Sequence, residues 1–139
     1  MSSAAPHHVF AIRVYYEDTD AAGIVYYANY LRFAERARTE LLRAHGSDHA
    51  ALQREAGIAF AVRRCEADYL KPARLDDALE VHTRVTHVGG ATLDADQYIL
   101  RAGEVLTRLK IRLACVRADG RPARLTQALR RSLDTLTIR

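Results

Sequence analysis

Tyr30-Leu31-Arg32-Phe33-Ala34-Glu35-Arg36-Ala37-Arg38-Thr39-Glu40-Leu41 decides the fold. Its apolar residues Tyr30, Phe33, Ala34, Ala37 and Leu41 fall at i, i+3, i+4, i+7 and i+11, one stripe of an α-helix. Arg36 and Glu40 decorate another side at i, i+4, and Gly46 is a natural stop. A helix with one apolar stripe must bury it against another layer. A second short helix is expected over Asp48 to Glu55, ahead of Gly57.

Upstream, Val9 to Glu17 is rich in β-formers and reads as a first strand. Asp18-Thr19-Asp20-Ala21-Ala22-Gly23 breaks that pattern as a loop, and residues 1–8 are expected to form a flexible tail. Downstream, Leu79, Val81, Thr83 and Val85 alternate with Glu80, His82, Arg84 and Thr86. Leu109, Ile111, Leu113 and Cys115 alternate with Arg108, Lys110 and Arg112, a sheet with one wet face that is free for solvent or a subunit contact. Gly89-Gly90, Ala102-Gly103 and Asp119-Gly120 sit where hairpin turns belong. One strand, one long helix and then about four antiparallel strands make an α+β chain in which the sheet wraps the helix. With no repeat or linker, residues 9–139 are expected to form a single domain.

The 139 residues are 49% hydrophobic and 27% charged, the profile of a chain that buries a core. Residues 1–116 carry 15 basic and 15 acidic side chains, so the net charge of +4 comes from six Arg against Asp119 and Asp134 in the last 23 positions. That asymmetry suits a polyanionic or phosphate-bearing partner; a solvated face is the plainer account of the tail. Cys65 and Cys115 stand apart from any CxxC or His/Cys cluster and read as small buried hydrophobes of a reduced, cytoplasmic protein. No apolar run exceeds five residues, far below the ~20 of a membrane span, and the N-terminus lacks a signal pattern. Ser elbows, P-loops and G-x-G-x-x-G are absent, which argues against α/β-hydrolase, nucleotide-hydrolase and dinucleotide functions. His45 and His49 flank Gly46 without a third ligand, so no metal site is expected.

The chemistry points to Asp20, a carboxylate in a Gly-containing loop ahead of the long helix. N–H groups at a helix N-terminus stabilise a developing oxyanion, and a nearby carboxylate acts on the same centre as base or nucleophile. On spacing alone, Asp18, Thr19 and Asp20 serve equally as caps of a turn or helix start.

A resemblance decides between these. Arg13-Val14, Thr19-Asp20, Gly23-Ile24-Val25 and Tyr30 resemble the signature of the 4-hydroxybenzoyl-CoA thioesterase family of hotdog proteins. Val14 to Asp20, Tyr26 to Glu40 and Arg63 to Asp77 resemble its Tol–Pal-associated acyl-CoA thioesterases. The resemblance implies a hotdog fold, a five-stranded antiparallel sheet wrapped around one long central helix. It implies a dimer with continuous sheet, or a homotetramer, with interface active sites. Carried over by motif, Asp20 and not Asp18 is catalytic, the Tyr27 N–H polarises the thioester carbonyl, and Gly23, Val25 and Tyr30 bind substrate. Tyr27 stands where that subgroup often has His, so its side chain serves equally as an acyl-pocket wall. Asp20 either forms a mixed anhydride or activates water, without a cofactor, coenzyme A being part of the substrate.

The implied activity is hydrolysis of a small acyl-CoA to free acid and coenzyme A. Lys71, Arg74 or the Arg-rich end are candidates for the coenzyme's phosphates. The rival is a non-catalytic adaptor that holds acyl carrier protein or phospholipid-synthesis enzymes through Arg117, Arg121, Arg124, Arg130 and Arg131; nucleic acid is not an expected partner. A hotdog dehydratase is a weaker third reading, since it needs a pocket His that Tyr27 does not supply. Glu35, off the apolar stripe, is left outside the site as a surface partner for Arg38.

Overall fold

The structure, a computed structural model, describes residues 7–46 and 48–137. Strand β1 (His8–Arg13) leads through a 3₁₀ turn (Tyr16–Asp18) to α1 (Asn29–Ala44) and α2 (His49–Ala56). Strands β2 (Ile58–Tyr69), β3 (Ala78–Val88), β4 (Thr92–Arg101) and β5 (Glu104–Arg117) follow, and α3 (Gln127–Asp134) closes the chain. All the strands pair antiparallel in one five-stranded sheet of order β1-β3-β4-β5-β2. This is the expected sheet around one long helix.

The stripe of α1 is buried as its spacing requires. Phe33, Ala34 and Ala37 are fully shielded, and Tyr30 and Leu41 nearly so, against β1, β3 and β4. Burial of the Phe33 side chain alone contributes about 1.5–3 kcal/mol. A polar pin fixes the helix on the sheet. Gln97, wholly buried on β4, donates through Nε2 to the Ala34 carbonyl and to Thr83 Oγ1, both at 3.0 Å. Its Oε1 accepts from the Arg38 guanidinium at 2.9 Å. A satisfied polar group in an apolar layer selects one register, because any slip leaves it unpaired. Arg38 is therefore committed to Gln97, and no Glu35–Arg38 ion pair forms among the described residues.

Several expectations are corrected. The first strand stops at Arg13 rather than Glu17, because the Val14 N–H donates to the Asp77 carbonyl at 3.0 Å and the chain then folds into the 3₁₀ turn. His8 belongs to β1, paired with Thr83, while residues 1–6 of the expected tail lie outside the described residues. Cys115 is buried as expected, but Cys65 is exposed on β2, which lies at the sheet edge. The C-terminal region is more than a solvated face. Leu125, Leu129 and Leu133 are buried, Thr126 caps α3 through the Leu129 N–H, and the Arg130 guanidinium donates to the Gly89 carbonyl. Arg117, Arg121, Arg124 and Arg131 remain exposed. The Ala102-Gly103 turn joins β4 to β5 with φ of 49° and 83°, the left-handed pair of a two-residue hairpin.

Candidate active site

Asp18 and Asp20, two residues apart, have opposite surroundings. The Asp18 side chain is buried; one oxygen accepts from the Tyr15 N–H at 2.8 Å and the other from Asn29 Nδ2 at 2.9 Å. Its backbone carbonyl accepts from the Tyr26 N–H at 2.9 Å. Asp18 is thus spent on tying the 3₁₀ turn to the first residue of α1. This also explains why the helix opens at Asn29, one residue ahead of the apolar stripe.

Asp20 begins a tight hairpin. Its N–H donates to the Ile24 carbonyl at 2.9 Å, and its own carbonyl accepts from Gly23 at 3.0 Å. Gly23 has φ +78°, a conformation that side chains rarely adopt, and closes the turn. Asp20 Oδ1 accepts from the Ala22 N–H at 2.8 Å, and the carboxylate is exposed. The hairpin returns along Val25, whose N–H donates to the Ala73 carbonyl at 2.8 Å, and reaches Tyr26 and Tyr27 at the head of α1. There the Tyr27 N–H has no acceptor among the described residues. Ala28, the residue at the N-cap position, supplies no side-chain cap. The helix start therefore presents an open donor at its positive end.

Beside that donor lies a cavity of about 270 Å³, walled by Val25, Tyr27, Tyr30, Tyr69 and Pro72 among others. Tyr30 is buried, and its hydroxyl accepts from the Ala73 N–H at 3.0 Å, so the ring is fixed against the Pro72–Asp77 loop. Tyr69, at the end of β2, meets the Tyr27 ring edge-on with centroids 6.0 Å apart and tilts over Tyr30 at 5.6 Å. Burial pushes the phenols of Tyr30 and Tyr69 above the usual tyrosine range, so both are neutral walls.

The wall loop is braced from behind. Asp77 Oδ2 accepts from the Arg74 N–H at 2.8 Å and from the Arg101 guanidinium at 2.7 Å. Partial burial works against the Asp77 charge, but these two donors outweigh it and hold the carboxyl below the usual range. Lys71 lines the cavity and pairs with Glu104, whereas the exposed Arg74 side chain has no carboxylate partner among the described residues. The Arg-rich end lies beyond the opposite end of β3, on the order of 30 Å along the strand.

Of the residues singled out from sequence, Val25, Tyr27 and Tyr30 share the cavity wall. Asp20 stands just outside it on the hairpin, next to Ile24, which lines the cavity. Tyr69 and the Asp77–Arg101 brace went unassigned, because only tertiary contact gives them a role.

Residues 14–133 match the model of the thioesterase-like superfamily. The chain is 47% identical over 107 residues to the acyl-CoA thioesterase YbgC of Haemophilus influenzae, covering 77% of this chain and 79% of that one. It is 47% identical over 106 residues to the acyl-CoA thioester hydrolase YbgC of Escherichia coli O6:H1, covering 76% and 78%. Among solved structures it resembles a probable thioesterase from Bartonella henselae, with TM-score 0.83, 38% identity and coverage of 86% and 99%.

Proposed function

The chain belongs to the thioesterase-like superfamily and is an acyl-CoA thioesterase, and from that premise we propose how its residues divide the work. The thioester carbonyl accepts from the Tyr27 N–H at the head of α1, where the helix end favours the negative charge that develops on oxygen. Asp20 acts on the carbonyl carbon, either by direct attack to form a mixed anhydride or by taking a proton from the attacking water. In both routes one water is consumed, the C–S bond breaks, the acyl group leaves as the free acid and the sulfur leaves as the coenzyme thiol. The chemistry calls for no metal or redox group, and coenzyme A enters only within the substrate.

The observation that carries this reading is the pairing of an unsatisfied Tyr27 N–H with an exposed Asp20 on the adjoining hairpin, while Asp18 is locked in structural bonds. Val25 and Tyr30 hold a small acyl group, and Gly23 shapes the turn that presents Asp20. Arg74 suits the coenzyme's phosphates better than Lys71, which is engaged with Glu104.

The outer edge of β2 is a long, exposed strand that carries Val62 and Tyr69. Such an edge invites pairing, so we read it as the seam of a homodimer that completes the cavity and doubles again into a tetramer. The cytoplasm, the Tol–Pal association, and acyl carrier protein or phospholipid-synthesis enzymes at the exposed C-terminal arginines belong to the same proposal. Loss of thiol release on Asp20→Asn tests the catalytic assignment, and sedimentation tests the oligomer.

A further inference from the structure

We propose that Tyr69 sets the length of the acyl group this enzyme accepts, by closing the near compartment of a longer cleft between α1 and β2. The inference rests on the placement of the reacting centre at Asp20 and Tyr27. Two hollows lie along that cleft. The near one, about 270 Å³, is the cavity at Tyr27. The far one, about 230 Å³, is lined by Leu31, Glu35, Arg38, Val62, Cys65 and Ile111.

The two are in line. Leu31, Glu35 and Arg38 stand at i, i+4 and i+7 on α1, so they share one face of the helix, and Tyr27 lies two residues ahead of its first turn. Tyr69 and Cys65 are four apart on β2 and therefore share the strand face that meets it. The linings have no residue in common. The Tyr69 ring packs against Tyr27 and Tyr30 in the near hollow, and Cys65 on the same strand face lines the far one. The near compartment measures about 270 Å³. A chain that outgrows it meets the Tyr69 ring, and the hollow behind, where Leu31, Val62, Cys65 and Ile111 sit among Arg32, Glu35 and Arg38, stays out of its reach.

The ring is the barrier, so the hydroxyl is dispensable. Tyr69 is 44% exposed at a strand end, outside the buried core, and sedimentation of each variant checks that the β2 seam it borders is kept. The test is kcat/KM for straight-chain acyl-CoAs from acetyl to lauroyl, for wild type, Tyr69→Phe and Tyr69→Ala. Wild type and Tyr69→Phe should share a short-chain optimum. Tyr69→Ala should move the optimum to longer chains, gaining about fourfold for each methylene that finds room past the ring and at least ~10-fold for the longer substrates overall.

An unchanged length profile in Tyr69→Ala overturns the proposal, including the case where a second copy already fills the far hollow. A wild-type optimum at long chains overturns it as well. Asp20→Asn measured on the same panel keeps the two readings apart. A silent Asp20→Asn with an unshifted Tyr69→Ala refutes the gate alone. An active Asp20→Asn refutes the reacting centre whatever Tyr69 does.

Discussion

Replacing Asp18 by Ala separates the two aspartates of the Asp18-Thr19-Asp20 segment. The buried carboxylate accepts from the Tyr15 N–H at 2.8 Å and from Asn29 Nδ2 at 2.9 Å, and Ala removes both acceptors. Hydrogen bonds to a charged group contribute about 1.5–3 kcal/mol each, and a buried donor left unsatisfied costs about 1–3 kcal/mol. The Asn29 donor is buried and takes the full penalty, whereas the Tyr15 N–H is partly buried and recovers some of its loss from water. A total loss of at least about 3 kcal/mol follows. For a chain of this size that corresponds to a fall in Tm of roughly 10 °C or more. The assay is urea unfolding at one fixed protein concentration, since an oligomer's apparent stability depends on it. The slope should hold and the midpoint should drop. Activity in the folded fraction should decline only in part, because the head of α1 shifts while Asp20 and the Tyr27 N–H remain. A variant within about 0.5 kcal/mol of wild type, or one of full stability that has lost all turnover, would refute the division of labour between the two residues.

Two further outcomes follow from the fold. Asp77 is held below the usual carboxylate range by the Arg74 N–H and the Arg101 guanidinium against partial burial; a depressed folded value means stability that is present above about pH 4 and is lost as pH falls through the folded value. Arg101→Ala should therefore flatten the acid limb of the stability–pH curve, and an unchanged limb in urea midpoints would contradict the brace. Leu133→Ala removes a fully buried side chain of α3 and should cost about 2–5 kcal/mol by urea unfolding; a negligible loss would mean that α3 is not docked.

The long helix and the strands were legible because their periods are local properties. Tyr30 to Leu41 shows its stripe without reference to anything else, and the alternations in β3 and β5 survive because one face of the sheet is charged. The end of β1 was not legible, because the acceptor for Val14 is the carbonyl of Asp77, far along the chain. Nor was the placing of β2 beside β5, which local pattern does not encode. The α3 helix did leave a signal. Leu129 and Leu133 are spaced i, i+4 behind the Thr126 cap, a short period crowded by the arginines around it. Asp20 was legible through its motif, and the structure adds a physical difference between it and Asp18. Tyr69 was invisible as a functional residue, since its meaning lies in the rings of Tyr27 and Tyr30.

The central claim is that the Asp20 carboxylate acts on a thioester held at the Tyr27 N–H. Release of free thiol from short, long and aromatic acyl-CoAs, by wild type and Asp20→Asn at equal concentration, tests it most directly. Wild type should turn over at least one class. Asp20→Asn should lose ~100-fold or more, with the same sedimentation and the same urea midpoint. An Asp20→Asn enzyme that is folded and keeps turnover within about tenfold of wild type would contradict the account.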